Sequence, residues 1–135
     1  MLVLAGALAA CAPKSPGESQ GAAGTPGPTA AEIGERIYSG NCVPCHQQAG
    51  TGIPGVYPSL AGSPVVTGDP AELTRWVMKG QRPHSMPAGR YSTQMLQFGW
   101  MKPADAAALF SYLRSNFGNS AGPVDAATVA KALGP

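Results

Sequence analysis

At 135 residues the chain has room for one small domain, and its 18 glycines and 14 prolines, crowded toward the start, indicate that not all of it folds. Only 12% of residues are charged and the formal net charge is +2, a balance that argues against a nucleic-acid binder with a basic, aromatic-interleaved stripe. The charge is uneven, however. Between Leu73 and Ala104 lie five basic residues, Arg75, Lys79, Arg82, Arg90 and Lys102, and no acid.

The chain opens on the apolar run MLVLAGALAA, followed by Cys11. The run is too short to span a bilayer, and the small residues before Cys11 read as the end of a secretion signal. LAAC resembles the lipobox of bacterial lipoproteins, which implies cleavage before Cys11 and lipidation of its thiol. No Lys or Arg precedes the run, so residues 1–10 read as a truncated signal. Residues 11–29 then combine the lipidated cysteine with a Pro/Gly/Ala tether without apolar periodicity, whose typical end-to-end span is about 25 Å.

The folded domain is expected over residues 30–119. Its first helical pattern, AAEIGERIYSG, spaces Ile33 and Ile37, and Gly34 and Tyr38, at i, i+4, places Glu32 and Glu35 at the positive end of the helix dipole, and meets a stop at Gly40. In GDPAELTRWVMKG, Asp69 serves as N-cap, Pro70 fits the first turn, Glu72 completes a capping-box pattern and Gly80 ends the run. Leu73, Trp76 and Val77 form its apolar face. The third helix starts at Pro103, puts Ala106, Leu109, Phe110 and Leu113 on one side, and closes at Gly118. Residues 120–135 form an extension with a weaker helical pattern after Pro123. No alternating strand pattern exceeds about four residues, so the class is all-α, three main helices joined by long loops. So small a domain with so much loop is marginal on its own, and something other than protein is expected to complete its core.

CVPCH, residues 42–46, carries the chemistry. C-x-x-C-H reads as covalent attachment of a c-type haem, with Cys42 and Cys45 adding to the vinyl groups and His46 reaching the iron. Three other readings compete. A structural zinc site needs four ligands, and His84 is the only further histidine. A thioredoxin-like pair belongs with a βαβ pattern that is absent. The third is an inert pair of buried cysteines.

GERIYSGNCVPCHQQAGTGIPGVYPSLAGSP together with FGWMKPADAAALFSYLRSNFGN resembles the small bacterial monohaem cytochromes c, especially the electron-carrying subunits of membrane dehydrogenases and oxidases. The resemblance implies the cytochrome c fold around one covalently bound haem c. It implies that the first and last helices cross, with Gly34 and Tyr38 meeting Leu109 and Tyr112, that the Pro58 carbonyl orients His46, and that Leu60 lies against the porphyrin. In the family a methionine ligand stands three residues before an FG pair and about eight before the last helix. Counted back from Phe98 and from Pro103, this is Met95. Met86, in the MP wording usual at the ligand, is the runner-up, and His84 or an open site remains. Met78 and Met101 read as core.

The expected function is one-electron transfer rather than catalysis, with no small-molecule substrate. Arg75, Lys79, Arg82, Arg90 and Lys102 are expected to steer docking to an acidic redox partner, against the alternative of inert surface charge. A haem-based ligand sensor with a displaceable sixth ligand is the alternative function. Haem attachment and the signal-like start both point to the periplasmic side of a bacterial membrane, or an extracellular face, with Cys11 as the anchor. Ala12 does not indicate which membrane.

Overall fold

The computed structural model describes residues 27–86 and 89–135; Cys11, the apolar run and most of the tether lie outside them. The described residues contain six helices: α1 (Ala30–Asn41), α2 (Val43–His46), α3 (Pro64–Thr67), α4 (Pro70–Lys79), α5 (Pro103–Ser115) and α6 (Ala126–Leu133). The only β pairing among them is an isolated antiparallel bridge, Ile53 to Tyr57. None of the described helices is long and apolar enough to cross a membrane.

The capping box expected at the second main helix is found at the first. Thr29 Oγ1 accepts from the Glu32 amide at 3.3 Å, and the Glu32 carboxylate accepts from the Thr29 amide at 2.7 Å. Two orphan amides at the start of α1 are thereby satisfied, and the same bonds hold the Glu32 carboxyl below its ordinary range. At α4, Asp69 accepts from the Ala71 amide at 2.9 Å, while the Glu72 carboxylate takes the Ser85 hydroxyl instead of closing a box. Gly80, in the left-handed conformation, ends α4 as expected.

Gly40 does not end α1. The helix runs through it to Asn41, and the Cys42 amide still donates to the Tyr38 carbonyl at 2.8 Å. The break comes at Gln47, whose φ of 65° turns the chain after His46. Helix formation therefore carries straight into the cysteine turn.

α1 crosses α5, and α6 lies across α4 and α5. Tyr38, Leu73, Leu109, Phe110 and Val129 are among the least exposed side chains, and Ala106 and Leu113 share their core, as the apolar face of the third predicted helix requires. At the crossing, a Cβ on Gly34 would stand 2.4 Å from the Ala108 carbonyl oxygen and 2.7 Å from Tyr112 Cβ. The closest partner is thus the Ala108 backbone rather than Leu109. Tyr38 stacks at a tilt on Tyr112 and Phe117, with centroids 5.7 and 5.0 Å away, and its hydroxyl donates to the Gln47 carbonyl at 2.5 Å. Burial pushes that hydroxyl's pKa up to about 12.

Arg114, only 7% exposed, pins the C-terminal extension to the rest. Its guanidinium donates to the carbonyls of Gly122, Val66 and Gly68 at 2.7, 2.8 and 2.8 Å. Replacing it by methionine leaves three carbonyls without this donor and is expected to destabilise the domain by about 3 kcal/mol in urea unfolding. Lysine cannot reproduce the fork geometry, so Arg114→Lys is expected to recover less than half of the loss.

Candidate functional site

Cys42 caps a single helical turn. The amides of Cys45 and His46 both donate to the Cys42 carbonyl, at 3.2 and 2.8 Å, which folds the two cysteines and the histidine into one compact unit. Both thiols are free. After Gln47 the chain doubles back, with the Gly52 amide donating to the His46 carbonyl at 2.9 Å and the Leu60 amide to the Gly50 carbonyl at 2.7 Å. Gly52 is required there: its φ is +63°, and a Cβ would fall 2.4 and 2.5 Å from the carbonyl oxygens of Tyr57 and Pro58.

This return brings Pro58 under the histidine, its carbonyl 2.9 Å from His46 Nδ1. A carbonyl can only accept, so Nδ1 carries the proton and Nε2 keeps its lone pair. Burial lowers the His46 pKa and the bond to Pro58 opposes this in part, leaving a neutral imidazole at physiological pH. A histidine with its tautomer fixed by a backbone acceptor is the arrangement a metal ligand needs. Leu60 is half-buried against the core.

The competing chemistries fare worse. A reactive cysteine pair needs a depressed thiol pKa, whereas burial, with Cys45 adding to it, pushes Cys42 up to about 11. No group of three or more His, Cys, Asp or Glu among the described residues is placed to hold a metal ion, so the donors for structural zinc do not assemble there. Two free thiols and one oriented imidazole on a single turn instead fit covalent haem attachment, in which Cys42 and Cys45 would bond the porphyrin's vinyl groups and His46 would offer its free ring nitrogen to the iron.

Of the methionines, Met78 and Met101 are 3% and 5% exposed within the core. Met86 and Met95 are half-buried, each in irregular chain and each packed against that core. His84 is exposed. Of the basic residues, Lys79, Arg82, Arg90 and Lys102 are exposed and Arg75 is half-buried. Lys79 Nζ donates to the Leu133 carbonyl at the end of α6. Sequence reasoning missed two exposed apolar side chains in this region, Leu96 and Trp100, 75% and 67% exposed.

The chain is similar to the cytochrome c subunit of the quinone alcohol dehydrogenase of Gluconobacter oxydans (strain 621H), at 33% identity over 101 residues, 73% of this chain and 21% of the relative. The corresponding subunits of Gluconacetobacter polyoxogenes and Komagataeibacter europaeus are each 32% identical over 111 residues, 78% of this chain and 23% of theirs. The chain thus spans less than a quarter of the length of these relatives. The sequence profile of the family described as cytochrome c matches residues 31–117. Because that match takes in the cysteine turn, the Pro58 loop and nearly all of α1 through the end of α5, the chain belongs to the cytochrome c family, which implies haem c with its iron and a part in electron transfer.

Proposed function

We propose that this chain is a one-electron carrier holding a single haem c, with His46 and Met95 as axial ligands, that passes electrons between membrane-associated redox proteins such as a respiratory dehydrogenase and a terminal oxidase. The observation that carries the reading is the 2.9 Å contact between His46 Nδ1 and the Pro58 carbonyl beside two free thiols. When bound, the haem iron would supply a one-electron couple, and a thioether ligand from Met95 would raise its potential and close it to outside ligands. The protein's own part is to hold the imidazole in one tautomer, to keep water from it by burial, and to present a docking surface. The relatives' description as cytochrome c subunits of a dehydrogenase supports a protein partner of that kind. Lipidation of Cys11 would tether the domain on the periplasmic or extracellular face, where haem attachment also belongs.

Carbon monoxide tests the site. A reduced protein that stays unreactive at neutral pH supports fixed six-coordination, and rapid, complete binding would replace the carrier with a ligand-binding sensor. A pyridine haemochrome titration checks the stoichiometry of one. Docking is tested by reversing Arg82, Arg90 and Lys102 to glutamate. With an acidic partner, electron transfer at low salt is expected to slow about tenfold or more, and its dependence on ionic strength to flatten. Unchanged salt dependence would make these residues ordinary surface charge.

A further inference from the structure

The matched profile ends at residue 117, yet the chain continues into α6, which packs on α4 and α5. Val129 of α6 is fully buried, and Asp125 caps the helix through the Thr128 amide at 2.7 Å. At its far end the Leu133 carbonyl accepts from Lys79 in the last turn of α4. That same turn touches the distal segment. The Phe98 amide donates to the Val77 carbonyl at 2.9 Å, a Cβ on Gly99 would lie 3.0 Å from the Met78 carbonyl oxygen, and one on Gly80 would lie 2.6 Å from the Gln97 side chain. The last turn of α4 therefore has α6 against it and residues 97–99, just past Met95, held to its backbone.

We propose that α6 is a positioning element for the distal ligand: by holding the end of α4 in place, it keeps residues 97–99 docked and so keeps Met95 where it can reach the iron. The proposal rests on the reading of Met95 as that ligand. The distal segment between residues 89 and 102 has no helix of its own, so its position depends on what it is bonded to. Local opening of such a segment is governed by the few contacts that close it, and loosening α4 lowers the free energy of opening more than that of global unfolding.

The test is the rate at which cyanide binds the ferric holoprotein, which requires the thioether to leave. Val129→Ala removes buried contact between α6 and its neighbours and is expected to raise that rate about tenfold. Leu133→Ala, half-buried at the other end of α6, is expected to act in the same direction and serves where Val129→Ala fails to take up haem. Tyr112→Leu on α5, whose ring packs on Tyr38 and Phe117, is the comparison for a loss of melting temperature at the α1–α5 crossing. Faster cyanide binding in the α6 variants than in Tyr112→Leu, at equal thermal stability, supports the proposal. Equal rates, or rates that simply follow melting temperature, overturn it. The ligand assignment fails separately: a thioether-to-iron band that survives Met95→Ala refutes that assignment whatever the α6 variants do.

Discussion

Gly34→Ala is expected to destabilise the domain by about 3 kcal/mol, at the upper end of the overpacking range. For a domain of this size that lowers the melting temperature by roughly 15 °C. The added methyl would stand 2.4 Å from a backbone oxygen of α5 and 2.7 Å from Tyr112 Cβ. Neither neighbour is the free end of a flexible side chain, so relief requires α1 and α5 to move apart, and α5 carries much of the core: Ala106, Leu109, Phe110 and Leu113. Gly40 provides the contrast within the same helix. Nothing lies within 4 Å of a Cβ there, so Gly40→Ala should gain helix propensity, up to about 1 kcal/mol. Thermal unfolding of the two holoproteins, followed by far-UV circular dichroism, is expected to move in opposite directions. Equal shifts, or a neutral Gly34→Ala, would mean that the crossing is looser than its geometry.

The chemistry of this chain was legible because it is written in five consecutive residues. A motif whose donors are adjacent in sequence needs no tertiary information, and Cys42, Cys45 and His46 fold together through bonds to one carbonyl. The long helices were legible from their apolar spacing, and α4 also from Asp69 and Gly80 at its ends, whereas α5 stops at Ser115, before the Gly118 expected to close it. What escaped were features decided by residues far apart. Arg114 looks like a last-turn surface cation until the carbonyls of Val66 and Gly68, 48 and 46 residues away, arrive to accept from it. Asn119 is likewise buried because it bonds the Leu60 carbonyl and the Gly62 amide across the fold. Gly40 was misread for a related reason: glycine stops a helix where the chain needs a left-handed turn, and here that turn falls at Gln47, after the attachment site rather than before it. The two possible capping boxes, Thr29 to Glu32 and Asp69 to Glu72, differ in the N-cap side chain, a hydroxyl at α1 and at α4 a carboxylate that repels Glu72, and in what else is nearby. Ser85 reaches Glu72, and that contact is not written in the helix.

On the proposed ligation, Met95→Ala abolishes the weak sulfur-to-iron absorption band of the ferric protein, lowers the reduction potential, and lets the reduced protein bind carbon monoxide at neutral pH. Met86→Ala leaves all three unchanged. The contrast follows from how each methionine is held. Met86 sits in a turn of its own, its amide donating to the Pro83 carbonyl at 3.1 Å. Met95 is followed three residues later by Phe98, whose amide is fixed to the end of α4 and whose carbonyl accepts from Met101 at 3.0 Å as the chain turns into α5. A ligand that must withstand exchange between oxidation states gains from being fastened to two helices, and Met95 is the half-buried methionine with that support. Replacement of Met95 by histidine sharpens the test, because it is expected to keep the iron six-coordinate while lowering the potential and losing the sulfur band. A band that persists without Met95 and vanishes without Met86 would transfer the distal role to Met86, and with it the reason for the MP pair.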